Sequence, residues 1–162
     1  MLCVWWDRRG IIHFELLNRN ETVTADLYLQ QLQHVHQSLL EKRPALVNRK
    51  NVVLLHDNAR PHTARVTQEK NLELGWSVLS HPPYSPDLAP SDYQLFRSLQ
   101  NSLMGTNFSN EDQAREFFEN LFTSKPAEFY AKGIEELPDT CQQVIANDGE
   151  YIIDYGNFFI EK

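Results

Sequence analysis

Asp57 closes an apolar run in VVLLHDNARPH, and Asp92 follows a proline-stiffened loop in HPPYSPDLAPSDYQLF, with 34 residues between them. A carboxylate at the end of a strand and another at the start of a helix are what a two-metal phosphoryl-transfer site uses. Paired divalent ions share the scissile phosphate, one activating the oxygen nucleophile and the other stabilising the leaving oxygen. Mg²⁺, or Mn²⁺ in its place, prefers hard carboxylate oxygens, so Asp rather than His or Cys is the expected ligand. Asp57 and Asp92 are therefore the candidate catalytic residues and metal ligands. Asn58, Arg60, His62, Arg65 and His81, close to them in the chain, are candidates for shaping the pocket or contacting nucleic acid. Read in isolation, an Asp after an apolar strand is commonly a turn former, and an Asp at a helix start is commonly a cap.

Such carboxylates need a strand and a helix start to hold them. NVVLLHD is short and nearly all apolar, as a strand buried on both faces would be. His62 to Leu74 reads as a helix ended by Gly75, and WSVLSHP as a second strand. Pro90 or Ser91 opens a helix through about Met104. Upstream, MLCVWWD and IIHFELL flank Arg8-Arg9-Gly10 and are expected to pair as a hairpin. Tyr28, Leu29, Leu32, Val35, Leu39 and Leu40 recur at helical spacing from Ala25 to Arg43, where Thr24 can cap the start and Pro44 bars continuation. Downstream, Ser109 and Asp112 form a capping-box start for a helix carrying Ala114, Phe117, Phe118, Leu121 and Phe122. Pro126 ends it and opens the next, with Phe129, Tyr130, Ile134 and Leu137. Trp5 and Trp6 point to opposite faces of their strand, one into the core and one toward a surface that something else covers.

Composition sets the scale of this assembly. The 162 residues, 41% hydrophobic and 11% aromatic, suffice for one domain with a real core. Neither a signal peptide nor an apolar run of membrane-spanning length is visible, so no membrane partner is expected. Cys3 and Cys141 stand far apart without CxxC spacing, against a disulfide framework or a thiolate zinc site. The net charge of −7 is unevenly placed: residues 1–70 carry ten Lys/Arg against seven Asp/Glu, whereas residues 71–162 carry five against fifteen. DNA contact is thus expected from the first part, where Arg8–Arg9, Lys42–Arg43, Arg49–Lys50, Arg60, Arg65 and Lys70 lie, and not from the acidic end.

Rival chemistries have weaker support. His34 and His36 are turned about 200° from each other on a helix and do not readily share a metal. His56, Asp57 and His62, with His81, can be read as a zinc hydrolase set, but no HExxH spacing accompanies them. The GxSxG elbow of a serine hydrolase is absent. Asp87 in SPDLAP reads as a turn residue, and Asp7 sits at the hairpin end of a different strand.

The phrases MLCVWWD, ELLNRNETV, HDNARPHTA, HPPYSPDLAPSDY and FYAKGIEELPDTCQQVIANDGEYI, in this order across almost the whole chain, resemble the catalytic domain of mariner-family transposases. The transposase-derived part of a histone-lysine methyltransferase is similar as well. The spacing between Asp57 and Asp92 matches the DD34D pattern of mariner; its relatives place a glutamate at the third position. This resemblance implies an α/β, ribonuclease H-like (retroviral integrase-like) mixed sheet flanked by helices. It also implies cut-and-paste DNA transposition with two Mg²⁺ or Mn²⁺ ions in the complete enzyme, transposon ends and target DNA as partners, a homodimer, and a nuclear location. The family uses three aspartates, and the first is expected upstream of Met1. Residues 1–162 are then an N-terminally truncated catalytic domain lacking its first strand, and catalytically incomplete by themselves. The alternative is a domesticated or decayed remnant that binds DNA or a protein partner without cleaving. In this fold the strand order is 3-2-1-4-5, so the absent strand belongs between MLCVWWD and NVVLLHD. Its two neighbours are expected either to close on each other or to leave the hairpin adrift.

Overall fold

The hairpin forms as its sequence requires: β1 (Leu2–Asp7) and β2 (Gly10–Leu16) pair antiparallel. Gly10 closes the turn at φ +127°, a conformation that a side chain would oppose. The computed structural model describes residues 1–18 and 20–147. Helix α1 (Ala25–Lys42) starts at Thr24, whose Oγ1 accepts from the Leu27 N–H at 3.2 Å. Pro44, where α1 was expected to stop, opens the short α2 (Pro44–Asn48). Then come β3 (Val53–Leu55), α3 (Arg60–Thr63), α4 (Arg65–Leu74) and β4 (Ser77–Leu79). A single 3₁₀ turn at Pro86–Leu88 leads to a π-helical stretch, Ser91–Phe96, that runs into α5 (Arg97–Leu103). Three helices follow: α6 (Glu111–Ser124), α7 (Ala127–Glu135) and α8 (Leu137–Ala146).

The two tryptophans lie on opposite faces of β1 as expected, and the surface toward which Trp6 points is covered by residues of the later helices. The hairpin lies between two apolar clusters. On one face Trp5 joins Ile12 and the α1 residues Tyr28, Leu32, Val35 and Leu39, with Trp76 beyond. On the other, Trp6, Val4 and Phe14 pack against Leu95, Leu99, Phe118, Phe122 and Tyr130. An irregularity in pairing between Trp5 and Trp6 leaves Ile12 as an extra residue on β2, and it packs on the α1 side while its neighbour Ile11 packs on the other. The hairpin is therefore buried on both faces and does not drift.

The sheet itself is in two pieces. β3 and β4 pair parallel in a separate sheet, and among the described residues β1 and β3 each keep one edge without a strand partner. Helix α1 bridges the pieces by packing on β2 and also on α3 and α4. Direct closure of the two edges, the other expected outcome, does not occur.

Three further expectations need correction. β3 is not buried on both faces: Leu54 packs on the α1 core, but Val53 is 63% exposed because no layer covers that side. The His62–Leu74 helix is broken at Ala64, whose extended backbone (ψ 142°) separates α3 from α4, while Gly75 ends α4 in the left-handed region as anticipated. Asn110, not Ser109, caps α6: its Oδ1 accepts from the Gln113 N–H, and Gln113 Oε1 in turn accepts from the Ser109 N–H. The last five residues of the FYAKGIEELPDTCQQVIANDGEYI block lie outside the described residues.

Candidate active site

Asp57 leaves the C-terminal end of β3, where a proline-led turn reverses the chain. Its Oδ1 accepts from the Ala59 N–H at 3.0 Å and from His62 Nδ1 at 2.6 Å. Burial pushes the carboxyl up, but these two donors and the nearby His56 outweigh it and hold Asp57 below its ordinary value. Both bonds fall on Oδ1, so a cation can be met by Oδ2 without breaking either. The side chain is 64% exposed and open to such a partner.

Asp92 stands in the first turn of the π-helical stretch. A π-helical segment widens the backbone spiral and re-aims side chains, a geometry common at functional positions. This stretch is anchored on both sides of Asp92. The Trp6 indole N–H donates to Ser91 Oγ at 3.0 Å, the Tyr93 hydroxyl to the Gly133 carbonyl at 2.5 Å, and Gln94 Nε2 to the Phe129 carbonyl at 2.9 Å. A Cβ at Gly133 would lie 2.6 Å from Gln94 Cγ, so the close approach of α7 needs glycine there. Burial and then the negative charge of Asp57 raise the Asp92 carboxyl, with His81 partly offsetting them. The structure thus brings Asp57 and Asp92 within electrostatic reach, two hard oxygen donors in mutual repulsion.

Behind Asp57 lies an aromatic stack that the sequence did not announce. Tyr28 of α1 sits 4.3 Å, ring centre to ring centre, from His62, and His62 lies 4.9 Å from His56. The Tyr28 hydroxyl and His56 Nδ1 are 3.1 Å apart. Tyr28 looked like one more apolar residue on a helix; only the packing of α1 against the β3 end reveals its place. Burial and the neighbouring His62 push His56 down to about 4, against an opposing pull from Asp57.

A neutral His56 has a measurable consequence. The unfolded chain holds this proton more readily than the folded one, so stability should fall as pH drops from about 6.5 to about 4. Urea unfolding across that range is expected to show a shallower loss in His56→Gln, by roughly 1 kcal/mol after allowing for partial exposure. Equal slopes would mean that His56 does not titrate in this way.

The remaining candidates separate clearly. His56, Asp57, Asn58, His62 and His81 line a cavity of about 540 Å³ that reaches Asn71 and Trp76; Asp92 lies outside that lining. Asn58 Nδ2 donates to the His81 carbonyl at 2.8 Å, joining the ends of β3 and β4. Arg60 and Arg65 are not brought into the cavity: Arg60 is exposed on α3, and Arg65, 89% exposed, pairs with Glu69 one turn along α4. Several other basic residues expected to meet DNA have partners within the chain. Arg8 pairs with Glu135, Lys70 with Glu73 and Arg43 with Asp7, while Lys42 donates to the Ile11 and Ile12 carbonyls.

Asp7 accepts Arg43 Nε at 2.7 Å and the Arg9 N–H at 2.8 Å, a structural role at the hairpin turn. Asp87 lies in the 3₁₀ turn, as a turn residue should. The zinc-hydrolase set does not converge. Among the described residues, the group of three His, Cys, Asp or Glu whose ligand atoms lie within 4.8 Å of one another is His13, Glu15 and His34. Cys3 and Cys141 are free thiols, and no described helix is long and apolar enough to cross a membrane.

Residues 1–49 match a family model described as transposase (partial DDE domain). The mariner Mos1 transposase of Drosophila mauritiana is 44% identical over 94% of this chain and 44% of its own length. The histone-lysine N-methyltransferase SETMAR of Homo sapiens is 44% identical over 93% of this chain and 22% of its own length. The chain therefore spans less than half the length of either relative. The solved Mos1 transposase catalytic domain with raltegravir and Mg superimposes with a TM-score of 0.90 at 43% identity, covering 93% of this chain and 76% of that one. At that similarity the two small sheets and their helices are the ribonuclease H-like α/β arrangement, here with the sheet divided.

Proposed function

The chain belongs to the mariner family of transposases, and from that premise we propose that its 162 residues form one domain, part of the family's catalytic domain, in which Asp57 and Asp92 supply two metal-holding carboxylates for cut-and-paste DNA transposition. The observation that carries this reading is the geometry at Asp57, whose Oδ1 is held by Ala59 and His62 while its other oxygen stays open to a cation, in a chain 43% identical to a transposase catalytic domain solved with Mg. The negative charge of Asp57 also raises the Asp92 carboxyl, a repulsion that a cation between the two would relieve.

Mg²⁺ or Mn²⁺ fits this donor set: Asp57 through the oxygen not engaged by Ala59, and Asp92 through a carboxylate whose chain neighbours Ser91 and Tyr93 are anchored by Trp6 and α7. When bound, a pair of such ions activates the attacking oxygen and stabilises the leaving one. The chain's own residues do the positioning. His62 fixes the orientation of Asp57, Tyr28 and His56 support His62 from behind, and Asn58 pins the loop after β3 to the end of β4. Asn58, His62 and His81, lining the adjacent cavity, are placed to meet a DNA strand, with transposon ends and target as substrates.

The third carboxylate of the set is proposed to come from outside these residues, on a strand entering between β1 and β3. Two observations support this: each of those strands has an unpaired edge, and Asp7 is committed to Arg43. Assembly as a homodimer and a nuclear location follow from the same family reading. A second reading, a remnant that binds DNA without cutting it, shares the geometry and differs only in outcome.

Metal binding tests the assignment directly. Titrated with Mn²⁺ and followed by calorimetry or proton relaxation, the protein should bind weakly, and Asp57→Asn or Asp92→Asn should each reduce the affinity by at least about tenfold. Unchanged binding in both variants would remove these residues from the metal site. Asp92→Asn should also raise the Tm slightly in metal-free buffer at neutral pH, because it removes the repelled charge.

A further inference from the structure

We propose that His13, Glu15 and His34 form a second metal site, away from the paired aspartates, that takes a borderline transition-metal ion, with Zn²⁺ the best fit. His13 and Glu15 are two residues apart on β2 and so project to the same face, toward α1. His34 on α1 faces them, whereas His36 is turned away against Trp76 with ring centres 5.9 Å apart.

Glu15 Oε1 lies 3.0 Å from His13 Nε2 and 2.7 Å from His34 Nδ1. Tetrahedral zinc with nitrogen and oxygen ligands near 2 Å holds its donor atoms about 3.3 Å apart. Small side-chain shifts therefore convert this cluster into a coordination shell with no backbone movement. Two imidazoles and one carboxylate suit zinc better than Mg²⁺, which favours oxygen ligands.

The surroundings have the character of an outer shell. Ser38 Oγ is 3.2 Å from His13 Nδ1, the nitrogen left over when Nε2 coordinates. A hydroxyl can accept from that nitrogen as readily as it donates, so it serves either tautomer of the ring. Gln31, only 1% exposed, donates its Nε2 to Glu15 Oε2 at 3.0 Å, although this leaves its own buried Oε1 without a partner. Glu15 thus already draws donors to both of its oxygens, His13 and His34 to Oε1 and Gln31 to Oε2. His34 is 59% exposed, which leaves a fourth position to water. An ion there would staple the edge strand β2 to α1, the helix that bridges the two sheets.

The test uses the full chain carrying Asp57→Asn and Asp92→Asn, so that the aspartate pair does not contribute. Calorimetry with ZnCl₂ should give one ion per chain. Co²⁺ in its place should give visible bands of a four-coordinate nitrogen and oxygen site. Removing one ligand with His34→Ala, an exposed position where folding is not at stake, should weaken binding at least about tenfold, as should Glu15→Gln. His36→Ala, on the opposite face of the same helix, should leave the affinity unchanged. Zinc binding that survives His34→Ala and Glu15→Gln within twofold, or that is lost only on His62→Ala, would overturn the proposal, as would no zinc binding in the parent chain.

Discussion

Incubated with Mg²⁺ and a duplex carrying mariner ends, the 162-residue chain is expected to leave the DNA uncut, and joining it to the preceding segment of a mariner enzyme, with its aspartate, is expected to restore nicking. The reason is coordination. Two divalent ions sharing one phosphate require several carboxylate oxygens between them, and Asp57 and Asp92 provide only two side chains. Among the described residues, no group of three His, Cys, Asp or Glu ligand atoms converges around either of them. In the restored enzyme, Asp57→Asn should then cost at least about a thousandfold in the rate of strand cleavage, because a metal ligand acts as part of a unit. A gel-based nicking assay with and without EDTA reads both arms. Robust Mg²⁺-dependent cleavage by the 162 residues alone, abolished by Asp7→Asn, would show instead that Asp7 leaves Arg43 to complete the site. A restored chain that binds ends but never cuts would favour the remnant reading.

Trp6→Ala should be among the most destabilising single changes in this protein. The indole packs within the cluster around Leu95, Leu99, Phe118, Phe122 and Tyr130, with its ring centre 5.9 Å from that of Tyr130, and its N–H reaches Ser91. Truncation leaves a cavity the size of two fused rings beside the hairpin and should cost about 3–5 kcal/mol. Trp6→Phe keeps most of the packing and loses mainly the hydrogen bond, at about 1 kcal/mol. Urea unfolding separates the two. Ser91 directly precedes Asp92, so Trp6→Phe should also weaken Mn²⁺ binding while the fold persists. A loss below about 1 kcal/mol in Trp6→Ala would mean that the second cluster holds the hairpin without this ring.

Much of this arrangement is local and therefore readable along the chain. Alternating β-branched and aromatic residues around Arg8-Arg9-Gly10 make a hairpin wherever they occur. Thr24 caps α1 through its own hydroxyl, and Gly75 stops α4 because only glycine takes that backbone cheaply. The spacing of Asp57 and Asp92, with the proline-rich phrase before the second, is likewise a property of the sequence, and the family was legible from those phrases. Local rules misjudged β3, since an apolar run does not disclose whether one or two layers cover it, and they placed the α6 cap one residue early.

The relations between distant segments had to wait for the fold. Tyr28 reaches His62 and His56 only because α1 crosses behind β3, and Glu15 gathers His13 and His34 only because β2 packs against the same helix. Arg8, Arg43 and Arg65 read alike in the sequence, yet each has a carboxylate partner of its own, two of them far away in sequence, and only Arg43 is largely buried with its partner. The coupling of Asp92 to Asp57 is of the same kind. Hydrophobic periodicity and capping act over a few residues and are written in their order, whereas charge pairing and ring contact act over a few ångströms and depend on which surfaces the two cores bring face to face.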